Sequence, residues 1–143
     1  MGSGPIELHL LDTHVWLWVV CGGKSELRKP AASAIERAAT RSALVISAIS
    51  VWEVAMLESK GRIQLQMECL EWVDAAIRRA GLRIIPLSTE IAVASTRLPG
   101  EPHGDPADRI IAATARHENA VLLTRDRSLL DYAARGFLRA VEA

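Results

Sequence analysis

The 143-residue chain has no net charge, because 17 basic residues are matched by 17 acidic ones. A whole-molecule electrostatic footprint of the kind that marks many nucleic-acid binders is therefore excluded. Cysteine is scarce: Cys21 and Cys69 are the only two. They have neither metal-ligand spacing nor a disulfide partner pattern, so buried, reduced thiols and a cytoplasmic protein are expected. Long apolar runs are missing as well. The stretch from Leu8 to Cys21 is too short to span a bilayer, is broken by Asp12 and His14, and has no basic region ahead of it. Neither an export signal nor a membrane anchor is expected. Lysine accounts for three of the 17 cations, and the remainder are arginine, the side chain better suited to bidentate phosphate contact.

What is present is a globular composition, half hydrophobic and a quarter charged, at a length that suits one domain. Residues 1–5 read as a flexible lead or expression remnant and residues 6–143 as a single domain, with no repeat and no linker. Short apolar runs alternate with helical patterns. His9 to Leu11, Leu44 to Ile46, Leu82 to Ile85 and Ala120 to Thr124 read as strands, with Phe137 to Val141 as a fifth. Between them, Pro30 opens a helix through Arg41 with Ala31, Ala34, Ile35 and Ala38 on one face. Ser50 and Glu53 have capping-box spacing at the start of a helix from Val51 to Lys60 that Gly61 closes. Leu70, Val73, Ile77 and Ala80 recur at helical spacing up to Gly81. Ser88 to Leu98 is a small-residue helix, and Leu129 to Arg135 another. After the turn-rich run Pro99 to Gly104, Pro106 makes Asp105 the N-cap of a helix and places Asp108 at its third position. Strands alternating with helices imply right-handed crossovers and an α/β fold of three layers, with a mostly parallel central sheet of four to five strands.

Four carboxylates fall at comparable places in this scheme. Asp12 and Asp126 follow strands, while Glu53 and Asp108 lie in first helical turns. Each has an innocent role as a turn residue, a cap or an acid at the positive end of a helix dipole. A parallel sheet, however, brings its strand ends to one edge, where ligands bind. Four acids gathered there would repel and raise one another's pKa, a conflict that a divalent cation removes. All-oxygen ligands favour Mg²⁺, with Mn²⁺ as substitute, over Zn²⁺. Carboxylate-held Mg²⁺ suits attack of water on a phosphodiester. Thr13 and Thr124 adjoin two of the acids and could orient them or a water. Asp105 reads as a cap first and a ligand second. Arg125 and Arg127 flank Asp126 and could hold a phosphate backbone. His14, His103 and His117 are scattered and read as structural or solvated. Trp16, Trp18, Trp52 and Trp72 sit in apolar helical runs, which favours core or interface packing over base stacking.

The segments LLDTHVWLW, SAISVWEVAMLESKGRI, HGDPADRIIAATA and VLLTRDRSLLDY resemble, in that order, the signature segments of PIN-domain ribonucleases. The likeness is greatest to the VapC toxins of bacterial type II toxin-antitoxin pairs, and it runs from about Leu8 to the C-terminus. It implies a Mg²⁺-dependent endoribonuclease in a three-layer PIN-like fold. Asp12 and Asp108 would be the main metal ligands, with Glu53 and Asp126 completing the cluster directly or through water. It also implies a homodimer and a cognate VapB-like antitoxin whose C-terminal segment covers the site. The neutral net charge then implies RNA held by a local arginine rim, with a modest dependence on salt.

Other readings fit less well. Phosphatases that use the first-strand aspartate as nucleophile need another two residues on, where this chain has His14. Receiver domains need a lysine after a late strand, and none lies beyond Lys60. A catalytically silent PIN-like module that binds RNA or protein is the non-enzymatic alternative.

Overall fold

The computed structural model describes residues 6–102 and 104–143. The expected lead over residues 1–5 and the reading of His103 lie outside these described residues. Five strands form one parallel sheet: β1 (His9–Leu11), β2 (Leu44–Ser47), β3 (Arg83–Ile85), β4 (Val121–Thr124) and β5 (Arg139–Glu142), in the order β3-β2-β1-β4-β5. Among the described residues seven α-helices flank it: α1 (Thr13–Val20), α2 (Lys29–Thr40), α3 (Ala48–Ser59), α4 (Cys69–Ala80), α5 (Thr89–Ser95), α6 (Pro106–His117) and α7 (Arg127–Ala134). The mostly parallel sheet expected from the sequence is parallel throughout.

The central strands are apolar without interruption because both their faces are covered. In β1 the two-residue period sends Leu11 to one face and Leu10 to the other. Leu11 joins Leu44, Ile46 and Leu123 against Trp16, Ile35, Val54 and Trp72 of α1 to α4. Leu10 joins Val45 and Leu122 against Ile111 of α6 and Leu129 and Tyr132 of α7. The layers therefore follow from strand alternation, and every carboxyl end emerges at the same edge.

Several boundaries differ from the sequence reading. Helix α3 starts at Ala48, three residues early, because the Ser47 hydroxyl caps it by accepting from the Ile49 N–H at 3.1 Å. Ser50 and Glu53 therefore do not form a capping box, since Ser50 is already inside the first turn. Helix α4 buries Trp72, Val73 and Ala76, whereas Leu70 is 65% exposed, about a third of a turn off the middle of that stripe. Gly81 ends α4 as expected, and does so in the left-handed conformation, with φ of 65°. Helix α5 stops at Ser95, short of Leu98. Strand β5 begins at Arg139 because Phe137 is taken up in stacking on Tyr132, their rings 4.9 Å apart.

Cys21 and Cys69 are free thiols, but only Cys69 is even partly covered. Cys21 is exposed because it ends α1 at the surface. Trp16 and Trp72 pack in the core, their rings 5.5 Å apart. Trp18 is half-buried beneath the Arg125 guanidinium, 4.5 Å from its ring, while Trp52 is 55% exposed. Among the described residues no helix is long and apolar enough to cross a membrane.

Candidate active site

At the carboxyl edge, Asp12 leaves β1 and caps α1. It is buried, and both its oxygens are engaged: Oδ1 accepts from the Thr13 N–H at 2.8 Å and Oδ2 from the Thr124 hydroxyl at 2.7 Å. Burial raises its pKa above the usual aspartate range, against the pull of those two bonds and of His14, and Asp126 adds to the rise. The Thr124 hydroxyl in turn accepts from the Asp126 N–H at 3.0 Å. One side chain at the end of β4 thereby ties two of the acids to one another.

Thr13 performs the same service for the third acid. Its hydroxyl donates to Glu53 Oε1 at 2.5 Å and lies 2.8 Å from the Ser50 Oγ. A hydroxyl has one proton, so Ser50 donates to Thr13 and Thr13 to Glu53. Glu53 is half-buried. Burial raises its pKa, the Thr13 bond opposes the rise, and the negative charges of Asp12 and Asp105 add to it.

Asp108 sits in the first turn of α6, whose N-cap is Asp105: the Asp105 Oδ1 accepts the Asp108 N–H at 2.9 Å. Its carboxyl is pushed up to about 7, first by burial and then by Asp105, Asp126, Asp12 and Glu53 in turn. Asp126 caps α7 by accepting from the Leu129 N–H at 3.1 Å. Gly104, with φ of 150°, lies where a Cβ would come within 3.3 Å of the Asp108 Cβ, so its lack of a side chain leaves that carboxylate room.

The four acids named from the sequence thus occupy one edge and act on one another electrically. The arginines are placed differently. Arg125 spends its guanidinium on the backbone carbonyls of Ala143 and Glu26 and on the Trp18 ring. A phosphate there would have to displace these contacts. Arg127 is exposed, with Glu142 at 3.8 Å. His14 and His117 are exposed. The sequence alone does not mark Ser50 or Gly104 as site residues. Ser47, Ser50 and Glu53 recur every third residue, the helical spacing that could have revealed Ser50, whereas nothing local marks Gly104 as the neighbour of Asp108.

The donor set fits a hard divalent cation: oxygen ligands only, partly desolvated, with their charges in mutual conflict. The expected convergence stops short of a finished shell. Among the described residues no three or more His, Cys, Asp or Glu side chains are drawn together closely enough to hold a metal ion as they stand.

Comparison with known proteins agrees with this architecture. A family model described as PIN domain matches residues 9–135. Ribonuclease VapC22 of Mycobacterium tuberculosis is 37% identical over 120 residues, covering 84% of this chain and 88% of the relative. Among solved structures, VapBC2 from Rickettsia felis bound to a promoter DNA fragment aligns over 94% of this chain and 97% of its own, with a TM-score of 0.67 at 19% identity. DNA-bound VapBC from Salmonella typhimurium aligns over 95% and 98%, with a TM-score of 0.68, also at 19% identity. At such identities the likeness concerns the fold.

Proposed function

The chain belongs to the PIN-domain family, and from that premise we propose that it is a metal-dependent endoribonuclease, the toxin of a VapBC-type pair. The observation that carries the chemistry is the electrical conflict at the sheet edge, where Asp108 is pushed up to about 7 by burial and four neighbouring carboxylates. Asp12 and Asp108 would hold a Mg²⁺ ion, with Mn²⁺ as substitute, and Glu53 and Asp126 would complete the cluster directly or through water. Bound there, the ion supplies positive charge for the phosphodiester oxygens and makes a water more acidic.

The chain's own residues do the rest. Thr124 and Thr13 hold Asp12 and Glu53 in fixed orientation, which supports a pre-organised site. Glu53, its pKa raised by burial, is suited to take the proton of the attacking water. The water oxygen bonds to phosphorus as the bond from phosphorus to the leaving ribose oxygen breaks, and that oxygen is protonated from solvent. Arg127, exposed beside Glu142, would meet a phosphate at the rim. Asp105 acts as the cap that orients the first turn carrying Asp108.

The relative's name, a ribonuclease, supports RNA as the substrate. The neighbouring VapBC complexes support a VapB-like antitoxin as partner. An arginine or other cation supplied by that partner would neutralise the acids in place of the metal. The protein would work in the cytoplasm as a homodimer.

The test is cleavage of total cellular RNA by purified, antitoxin-free protein with Mg²⁺, with chelator, and with Asp12→Asn and Asp108→Asn alongside. Discrete fragments lost with chelator and with either substitution are expected. Cleavage indifferent to both substitutions overturns the site, and ion binding without cleavage leaves a binding-only module.

A further inference from the structure

We propose that the cleft beside the acids is a nucleobase subsite, in which Trp52 stacks on an unpaired base next to the bond being cut. The nuclease reading supplies the identity of the strand, and the cleft says where one of its bases goes. The cleft has a volume of about 480 Å³ and is lined by Ile49, Trp52, Leu87 and Pro106, with Glu53 and Asp105 also in its lining. Glu53 belongs to both the cleft and the acid cluster, and Asp105 caps the helix that carries Asp108. A strand with its phosphate at the acids therefore has its neighbouring base within reach of the indole.

The exposure of Trp52 follows from the phase of α3. Ser50 and Val54 are buried, so Trp52, half a turn from both, stands out from the sheet. Of the four tryptophans, two are in the core and Trp18 is half-buried under Arg125, whereas Trp52 is 55% exposed beside Leu87, itself 46% exposed. An open aromatic face at the mouth of a site is what single-stranded RNA uses, because its bases splay out and stack on such rings.

The polar groups of the wall narrow the choice of occupant. Two carboxylates repel phosphate, so the backbone does not enter the cleft. Carboxyl oxygens accept hydrogen bonds, and each of the four bases has an N–H on its exposed edge to donate to them.

The test uses the full chain with Ca²⁺ replacing Mg²⁺, the RNA being checked on a gel to remain whole. Tetranucleotides of C, A, G and U and an abasic ribose-phosphate tetramer are titrated, following tryptophan fluorescence and, separately, anisotropy of labelled RNA. Quenching by the base-bearing oligonucleotides is expected, and none by the abasic chain. Trp52→Ala abolishes the quenching and weakens binding about ten-fold or more, while Trp52→Phe keeps most of the affinity. Equal affinity of wild type and Trp52→Ala, equal binding of the abasic chain, or no binding at all overturns the subsite. So does a Trp52→Ala protein that changes only its oligomeric state on sedimentation. Wild type that binds through Trp52 but cuts no RNA refutes the nuclease and not the subsite. Cleavage by Trp52→Ala with the same fragments and KM refutes the subsite and not the nuclease.

Discussion

Thr124, the last residue of β4, donates its hydroxyl to Asp12 Oδ2 at 2.7 Å, joining positions 112 residues apart, while the same oxygen accepts the Asp126 N–H at 3.0 Å. The register of β1 beside β4 puts these groups in reach, and burial makes the bonds matter. With its proton committed to Asp12, the hydroxyl fixes which way that carboxylate faces.

Thr124→Val keeps the shape and removes the hydroxyl. Asp12 loses a bond that lowers its pKa, and the Asp126 N–H loses its acceptor. Cleavage is expected to fall about ten-fold, with a stability loss of about 1–3 kcal/mol. Thr124→Ser should recover most of the activity. Steady-state kinetics and a urea melt check both, and a fully active valine variant would refute the orienting role.

Asp108→Asn is expected to stabilise the metal-free protein. Its carboxyl titrates at about 7 when folded against an ordinary 3.8, so the folded state binds the proton more tightly than the unfolded one. The stability this confers is full below about pH 4 and disappears as pH rises through 7. Discounted for its half-exposed position, the gain of the asparagine variant at pH 8 is about 1–2 kcal/mol. Thermal melts at pH 5 and 8 with chelator should show the two proteins differing more at pH 8. Added Mg²⁺ should then raise the wild-type melting temperature and leave the variant's nearly unchanged.

Thr13→Val and Ser50→Ala separate two links of one chain of hydrogen bonds. Removing the Thr13 hydroxyl deletes the bond that lowers the Glu53 pKa, so Glu53 protonates at higher pH and the acid limb of the pH–rate profile moves up. Ser50→Ala leaves the Thr13 donation in place, so that limb should stay, with a stability loss of about 1 kcal/mol. Identical profiles for the two variants would dissolve the distinction.

Trp16→Ala and Trp52→Ala should diverge in stability. Trp16 is fully buried against Trp72, and its truncation should cost about 3–5 kcal/mol. Trp52 is mostly in water and should cost under about 1 kcal/mol. Chemical denaturation of both variants measures the difference, and a large loss at Trp52 would mean that its ring is packed in the folded protein.

What the sequence determined by itself is local and periodic. The apolar runs at His9–Leu11, Leu44–Ile46 and Ala120–Thr124 read as strands, and the last as one covered on both faces. Pro106 fixed the start of its helix with Asp105 as cap, and parallel order then sent Asp12, Glu53, Asp108 and Asp126 to one edge. Tertiary structure decided what depends on neighbours remote in the chain. Ser47 rather than Ser50 caps α3, because Ser50 is drawn into its bond with Thr13. Arg125 is turned from phosphate to the Glu26 and Ala143 carbonyls by its place beside β5. Trp52 faces solvent while Trp16 and Trp72 do not. Periodicity says which face of an element is apolar, but only the packing of the elements says what that face meets.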